Sequence, residues 1–558
     1  MRASQTKVEK ALTCDVLVVG AGLAGLRAAY DCASAGLRVV LAVKGGLCSG
    51  ASFYPLTAGL GSQLAMNEAD KPLYMEEVLE CGDGLADPEL VKVLIDDIDR
   101  EAPRLTEIGI LPDIYVNTGR PACFAKRQRK LAVWRGWSEI RGRAREIFAG
   151  LDQLTLMEHC DLLRLIQSDG RIAGALLCDR DEKLYTVHTG CVILATGGYC
   201  GLYKHSLNTP DVCGIGHSVA LDAGAELINM EFMQFIPGLT APRYQTLFNE
   251  YSLIHVTAME NDAGEDVLRQ WLPADVSAEE CLQDRAMHGP FTTADKSWYF
   301  DVSIMADAIR RHSESGVTLH YDEGVFTDKN PYCEKFVPFL LSVGVDLRKE
   351  NISIAPFAHC ANGGIRIDKD GATSVPGLFA AGEAAGGVHG ADRHGGLATA
   401  ASIVFGARSA AAAARYVRAQ AAVPEFSDEQ AVAALMDWLD RGSGTVSGEE
   451  VQQKIGEILW YRGNVLRSGD ALREGIEQLD ALQKEYAPLS EKAGSSLRRN
   501  VQVFHGLRTA QVLLHAMLSR EESRGPHYRA DFPERNDALT GKKIVLRETD
   551  GHLEIAGI

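Results

Sequence analysis

The sequence predicts an α/β protein with a Rossmann-like domain, an inserted α+β domain and a helical C-terminal domain. A glycine-rich turn joins two apolar strands near the N-terminus, which is typical of a βαβ unit. A middle segment is rich in aromatic and polar residues and lacks runs of the buried-strand type. Helical periodicity with alternating charges dominates the last quarter of the chain. The predicted bounds are 1–240 and 346–420 for the Rossmann-like domain, 241–345 for the inserted domain, and 421–558 for the helical domain and tail.

The first predicted unit is a strand, a glycine-rich turn, a helix and a second strand. The apolar run 14–19 has the length of a buried parallel strand, and the run 37–43 follows the helix. Between two such strands, glycines let the backbone approach a pyrophosphate, and the helix N-terminus supplies unpaired N–H groups. The turn therefore predicts a bound dinucleotide. Its expected contacts are Gly20, Ala21, Gly22 and Gly25.

Two later strand ends repeat this glycine-rich pattern. One apolar run ends in Ala195-Thr196-Gly197, and another ends in Gly382-Glu383. Three such ends, distant in sequence, can converge on one extended cofactor, which suits FAD because it needs contacts along its whole length. Lys44 stands after the second strand, where NAD-binding proteins usually carry an acidic residue for the ribose. This substitution also favours a different dinucleotide from NAD.

Composition and charge disfavour two classes of partner. The chain has 57 basic and 75 acidic residues and a net charge of −18, so nucleic acid and anionic membranes are repelled. We expect no apolar run that approaches the roughly 20 residues of a membrane span, and the first residues lack the pattern of a signal peptide. The sequence therefore predicts a cytoplasmic protein without a direct membrane span.

The cysteines predict no metal centre. There are 13 of them, an odd number, and no two have C-x-x-C spacing. Iron–sulfur and zinc sites usually need a short-spaced pair. We therefore expect thiols in a reducing compartment and no metal cluster bound by this chain.

Five ordered motifs resemble the flavoprotein family of fumarate reductase, succinate dehydrogenase and L-aspartate oxidase. The similarity extends from about residue 13 to about residue 537 and implies the family's FAD-binding, capping and helical domains. The third motif is similar to the family's "HYxMGGI" and the fourth to its "GExxGGVHGANRLGG". The motifs are 44–54, Met230–Pro237, Ala358–Ile365, Gly382–Gly396 and Glu521–Arg529.

The resemblance implies a set of FAD contacts and a non-covalent cofactor. Glu383 is expected to accept hydrogen bonds from FAD hydroxyls, and two glycines are expected to admit the isoalloxazine before the next helix. Respiratory members tether the flavin to a His, but Phe53 occupies that position here. The full set implied is Gly20, Ala21, Gly22, Gly25, Lys44, Ser52, Ala195, Thr196, Gly197, Gly382, Glu383, Gly395 and Gly396.

The resemblance also implies hydride transfer at a carbon next to a carboxylate. His359 and Arg393 match two of the family's carboxylate ligands, and an Arg fork can bind a carboxylate at two points. Glu250 is expected to match an acidic residue on the proton path. We therefore predict an FAD-dependent oxidoreductase whose substrate is a small organic acid.

Two positions depart from the family pattern at the substrate site. Ile236 replaces a His before Pro, and Phe300 replaces the proton-shuttling Arg of an "RDxV" motif. Arg285, from a shifted loop, is the candidate to replace that Arg. Without these groups, fumarate, succinate and aspartate are doubtful substrates. Trp298 and Tyr299 beside Phe300 leave open either a more aromatic substrate or plain packing.

A second hypothesis belongs to a different functional class. The chain can be an electron-transferring flavoprotein that works in a complex with an iron–sulfur partner and has little turnover of its own. The missing shuttle residue favours this alternative, whereas the retained Arg393 and His359 favour an enzyme, because an electron conduit needs no carboxylate ligands.

Overall fold

The centre of the protein is a five-stranded parallel sheet. The computed structural model describes residues 8–54, 59–420, 422–440, 442–549 and 551–558. The helices Leu23–Ser34 and Leu397–Ala419 pack against this sheet. Every residue of four of its short apolar strands is buried, whereas the edge strand Leu154–Glu158 is only partly buried. In spatial order the strands are Leu378–Ala380, Val192–Leu194, Val16–Val19, Val39–Val43 and Leu154–Glu158.

Three other sheets surround the parallel sheet in the Rossmann-like domain. One contains Val8–Thr13, Leu184–His188, Arg171–Asp179 and Cys160–Ser168. A second contains Leu60–Leu64, Lys130–Trp134 and Asp113–Val116. The third contains Ala385–Gly386, Gly364–Arg366, Leu227–Ile228, Val545–Thr549 and His552–Ala556. Through its last two strands, the C-terminal tail returns to pair with the Rossmann-like domain.

The inserted domain is built on an antiparallel sheet. Although this segment lacks an obvious buried run in sequence, it supplies Thr246–Leu247, Val256–Glu260 and Val317–Tyr321 to that sheet. The other two strands, Met233–Ala241 and Ile352–Ala361, continue into the Rossmann-like domain. A separate apolar cluster fills this domain, distinct from the main core. The sheet therefore connects the two domains. The bounds 241–345 of the inserted domain stay a prediction.

Helices complete the three regions and confirm the predicted fold class. Those of the Rossmann-like domain are Leu23–Ser34, Lys71–Cys81, Pro88–Glu101, Trp137–Ala149, Ile215–Asp222 and Leu397–Ala419. Those of the inserted domain are Val267–Trp271, Ala278–Arg285, Trp298–Arg311, Gly324–Thr327 and Pro331–Ser342. The C-terminal region contributes Asp428–Leu439, Gly448–Arg462, Gly469–Glu485 and Leu497–Ser519.

One core helix corrects an expectation about apolar runs. Leu397–Ala419 is long and apolar enough, by length and composition alone, to cross a membrane, whereas we expect no such run from the sequence. In the folded chain, 67% of its apolar stretch is buried. It packs against Leu23–Ser34 and beside the end of the parallel sheet, so its apolar residues serve the protein core.

Candidate functional site

A cavity of about 430 Å³ opens at the carboxyl ends of the parallel strands. Three separate strand ends line it, namely the turns that contain Gly20, Thr196 and Gly382. Because all strands run the same way, their carboxyl ends meet at one edge of the sheet, where α/β proteins bind ligands. The structure thus brings together the three glycine-rich ends that are far apart in sequence.

Two glycines allow the first turn to pass close to its neighbours. Gly20 has φ +105°, and a Cβ there would lie 2.2 Å from the carbonyl oxygen of Ala195. A Cβ on Gly25 would lie 1.9 Å from the carbonyl oxygen of Gly20. Gly25 does not line the cavity, whereas Gly20, Ala21 and Gly22 do. The role of Gly25 is therefore to let the helix approach the strand.

The cavity combines two helix N-termini with one lysine. The helix Leu23–Ser34 begins at the first turn, and the Oγ of Ser52 accepts its Leu23 N–H at 3.2 Å. The helix Leu397–Ala419 begins directly after Gly396. Lys44 lines the cavity, and its Nζ lies 3.5 Å from a carboxylate oxygen of Asp211. Helix N-termini and a cation together suit an anionic group such as a pyrophosphate.

Glu383 and Thr196 also supply polar atoms to the cavity. The Glu383 carboxylate accepts the N–H of Ala361 at 2.9 Å, and burial raises its pKa above the ordinary value. The Thr196 Oγ1 is buried and has no hydrogen-bond partner among the described residues. Together with the open space beside the glycines, these polar atoms suit a long ligand that carries hydroxyl groups, such as FAD.

Arg393 and His359 lie together in the wall of the same cavity. Gln234 fixes the guanidinium, because its Oε1 accepts N–H groups from Nε at 3.1 Å and from Nη2 at 2.8 Å. The Nη1 donates to the carbonyl of His394 at 3.0 Å. Burial and the nearby Arg393 charge lower the pKa of His359 to about 3, so its imidazole is neutral at neutral pH.

Arg285 and Glu250 lie outside the cavity lining, in the inserted domain. Arg285 is fully buried and donates from Nε to the Asp301 carboxylate at 2.7 Å. Burial alone would lower its pKa, but Asp301 outweighs this effect and raises the pKa. The half-buried Glu250 faces Gly289, where a Cβ would lie 2.7 Å from its Oε1.

A series of contacts through Gly289 and Cys123 connects Glu250 to the cavity. The N–H of Gly289 donates to the Cys123 Sγ at 3.4 Å, and the Cys123 carbonyl accepts the N–H of Gly395 at 3.0 Å. Gly395 lines the cavity beside Arg393. Burial, together with the Glu250 charge, raises the pKa of Cys123 to about 12, so the thiol stays protonated. The inserted domain therefore meets the cavity at Cys123.

Comparison with known proteins decides the family. A family model described as "FAD binding domain" matches residues 15–398. A second, described as "Fumarate reductase flavoprotein C-term", matches residues 452–556. The chain belongs to the fumarate reductase and L-aspartate oxidase family of flavoproteins. The predicted cofactor FAD and the oxidoreductase class are thereby confirmed, as is the resemblance seen in the motifs.

Relatives match this flavoprotein over almost its whole length. It is 28% identical to one chain of the CoM/CoB fumarate reductase of Methanothermobacter marburgensis, over 93% of this chain and 95% of that one. It is 29% identical to the L-aspartate oxidase of Streptomyces coelicolor, over 96% of this chain and 92% of that one. Sdh1 of Mycobacterium smegmatis has a similar fold, with a TM-score of 0.82 and 24% identity over 98% of this chain and 94% of that one.

The aromatic residues at and beside the family's shuttle position take part in packing, Phe300 and Tyr299 in the apolar cluster of the inserted domain and Trp298 against the main core. Phe300 is fully buried in that domain's core. The Trp298 ring stacks between Tyr299, at 3.7 Å, and Tyr528 of the C-terminal region, at 4.7 Å. None of these rings lines the cavity. These contacts favour plain packing of the rings, and an aromatic substrate stays an untested alternative.

Two residues of this flavoprotein's site carry no clear sequence signal. Gln234 lies inside the motif Met230–Pro237, but its bond to Arg393 spans 159 residues, so the motif alone does not reveal the pair. Cys123 lies in a loop without any motif, and nothing in the sequence identifies it. Ile236, by contrast, lies where expected in the strand Met233–Ala241 and packs against the main core.

Proposed function

We propose that this FAD-dependent oxidoreductase oxidises or reduces a C–C or C–N bond next to the carboxylate of a small organic acid other than fumarate or aspartate, by hydride transfer at flavin N5. The observation that carries the proposal is the position of Arg393, buried in the wall of the cavity beside His359. A buried Arg that faces a cofactor cavity is suited to bind an anion in a site with little water.

Hydrogen bonds within the protein hold the Arg393 guanidinium in one orientation. Its bonds to Gln234 and to the His394 carbonyl use three of the five guanidinium N–H groups. These bonds hold the plane of the fork, so less side-chain freedom is lost when a carboxylate binds. The neutral His359 can donate one further hydrogen bond without adding a second buried charge.

The proton for the reaction is assigned to Arg285 and Glu250. In the reduction of a 2-enoic acid, bound FAD would supply the hydride to C3, because the carboxylate stabilises the charge that develops at C2. The protein must then supply the proton at C2, next to the carboxylate. Ile236 and Phe300 have no exchangeable side-chain proton. The inserted domain offers two candidates, namely Arg285, held as a cation by Asp301, and Glu250, whose charge acts on Cys123.

Among the residues that the structure describes, the cavity wall contains one predicted carboxylate ligand set, Arg393 with His359, and this favours a substrate with one carboxylate. A C4 dicarboxylate needs a second ligand, and Ile236 removes the His that resemblance predicts there. An apolar side chain at that position disfavours a charged group, because a buried carboxylate without a partner is costly. We infer that the substrate has an apolar or neutral polar group at its distal end.

The electron source is a separate part of the proposal. One relative is named as one part of a multi-chain fumarate reductase, which supports an electron-transfer partner for this chain as well. An iron–sulfur protein is the chemical class that would fit, because it exchanges single electrons with a flavin. Purification of the tagged protein from its own cells tests this point: an iron-bearing partner should co-purify, and its absence would favour a freely diffusing donor.

The reaction is tested by flavin reoxidation. The FAD of the purified holoprotein is reduced with dithionite under anaerobic conditions and mixed with a panel of 2-enoic acids that have apolar, neutral polar or charged distal groups. We expect a monocarboxylate to reoxidise the flavin fastest and Arg393→Lys to slow that reaction. If no carboxylic acid reoxidises or perturbs the flavin, the proposed substrate class is wrong.

A further inference from the structure

We propose that His255, Asp328 and Cys333 form a Zn²⁺ site on the inserted domain. The ligand atoms of these three side chains lie within 4.8 Å of one another. Tetrahedral zinc with bonds of about 2.0–2.3 Å places its ligand atoms about 3.3–3.8 Å apart. Small side-chain rotations are therefore enough to bring all three onto one ion.

The donor set suits zinc. The His255 Nε2 lies 2.9 Å from Asp328 Oδ2, and the Cys333 thiol donates a hydrogen bond to the same carboxylate. Each of these hydrogen bonds places a proton between two candidate ligand atoms. A zinc ion bound to these atoms would take the place of both protons. Nitrogen, oxygen and thiolate sulfur are the ligands found in zinc sites, and a thiolate disfavours Mg²⁺ or Ca²⁺. Cys333 is buried, with 1% of its surface exposed.

A fourth residue orients the imidazole. The His255 Nδ1 lies 3.3 Å from Asp322 Oδ1, which leaves Nε2 toward Asp328 and Cys333. Metal-binding histidines commonly donate their other N–H to a carboxylate in this way. Gly324 permits the arrangement, because a Cβ there would lie 2.4 Å from His255 Nδ1 and 2.6 Å from Asp322 Oδ1.

The site would join three separate elements of the inserted domain. His255 ends the turn Glu250–His255, Asp328 follows the helix Gly324–Thr327, and Cys333 lies in the first turn of Pro331–Ser342. His255 and Asp328 are 73 residues apart in the chain. Zinc at this point would cross-link a long loop and fix the turn whose first residue is Glu250.

One side of the site is open to solvent. The side chains of His255 and Asp328 are 16% and 21% exposed, so a water molecule can complete the coordination of a zinc ion with three protein ligands. The site lies apart from the cavity wall that contains Arg393. Its proposed role is to brace the inserted domain, independently of which acid the enzyme reduces.

The test is metal binding by the FAD-loaded, full-length protein. After treatment with a chelator, the protein is titrated with Zn²⁺ in competition with a chromophoric chelator. We expect one zinc per chain, with affinity reduced at least tenfold in His255→Ala and Cys333→Ala. Asp322→Asn changes a half-exposed carboxylate and should preserve the fold. Loss of such an outer partner should weaken binding about 10–100-fold.

The matched control is Cys281→Ala, which removes another buried thiol of the same domain and should leave zinc affinity unchanged. Co²⁺ provides a second measurement on the unsubstituted protein, where a sulfur-to-cobalt charge-transfer band should appear in the difference spectrum. The proposal is overturned if the protein binds zinc no more tightly than its variants do or if Co²⁺ gives no thiolate band. Neither readout depends on turnover, so the outcome is separate from that of the proposed reaction.

Discussion

The guanidinium carbon of Arg285 lies 5.5 Å from the centroid of the Phe300 ring. Phe300 occupies the position where the family resemblance predicts the proton-shuttling Arg. The neighbouring Asp301 pairs with Arg285 at 2.7 Å, both side chains being fully buried. The positive charge of Arg285 therefore lies beside Phe300, although Arg285 belongs to a different helix, Ala278–Arg285. Whether this cation serves the reaction is the main question that the structure raises for experiment.

FAD should leave the protein on acid precipitation. Phe53 stands where a tethering His would be, and its buried ring packs edge to face on Trp137 at 6.1 Å. A phenyl ring cannot form the bond to the flavin. The supernatant after acid treatment should be yellow and contain one FAD per chain, as measured by chromatography. A yellow pellet would show a covalent bond and contradict the prediction.

Gly25→Ala should reduce FAD binding and stability. The added Cβ would lie 1.9 Å from the Gly20 carbonyl oxygen, so the helix must move away from the first strand. Overpacking of this kind costs about 1–3 kcal/mol, and it displaces the turn at the cavity. FAD content and thermal unfolding measure the effect. In the control Gly142→Ala, a helical site with nothing within 4 Å, unchanged FAD and slightly higher stability are expected.

The sequence predicts the parts of the site whose signal is local. Gly20 and Glu383 follow apolar strands directly, and parallel strands bring their ends to one edge, so their convergence can be inferred. Arg393 is identified because a whole motif surrounds it. Gln234 and Asp301 are not recognisable as partners of Arg393 and Arg285, because those contacts depend on how strands and helices of different regions pack. Which residues of the helix Trp298–Arg311 face the core of the inserted domain likewise cannot be inferred from its sequence alone.

Arg393→Lys should lower turnover by roughly 30–1000-fold, which corresponds to about 2–4 kcal/mol for charge-assisted bonds in a dry site. Lysine keeps the charge but loses the planar fork and the bonds to Gln234. FAD should remain bound, because the glycine-rich turns are untouched. Steady-state kinetics and the flavin spectrum test both parts. Activity within threefold of the unsubstituted enzyme would make Arg393 a structural residue only.

His217 should make the protein less stable in acid. Its ring is fully buried, neither ring nitrogen has a hydrogen-bond partner among the described residues, and burial lowers its pKa to about 4. The unfolded chain therefore takes up a proton near pH 6.5 while the folded one does not. The stabilising contribution is present above about pH 6.5 and is lost as pH falls toward 4. Between pH 7 and 5 this loss is about 2 kcal/mol.

His217→Leu removes the group that titrates. Urea unfolding at pH 7 and at pH 5 should show a smaller loss of stability for this variant than for the unsubstituted protein. The comparison between the two proteins matters, because other buried groups titrate in both. Equal losses would mean that His217 is protonated in the folded state or becomes exposed before global unfolding.

The enzyme should be a poor fumarate reductase and a poor L-aspartate oxidase, although it belongs to the family of both. Ile236 leaves the second carboxylate of a C4 dicarboxylate without a ligand, and Phe300 cannot donate a proton, so protonation depends on Arg285 from a different helix. General acid catalysis is worth about 10²–10⁴ in rate, and a donor placed for another substrate loses part of this factor. Reduced viologen with fumarate, and oxygen with L-aspartate, should give turnover far below that with the true substrate. Both assays require FAD that is shown to be reducible.

Arg285 decides how a contrary result would be understood. If fumarate is turned over at tens per second, in the range ordinary for enzymes, then Arg285 beside Phe300 fully replaces the family's proton donor and is the first residue to examine. Arg285→Gln should then abolish that turnover, whereas Arg269→Gln, which removes an exposed arginine of the same domain, should not. If both variants keep full activity on fumarate, the proton reaches the substrate from another group and the assignment to Arg285 fails.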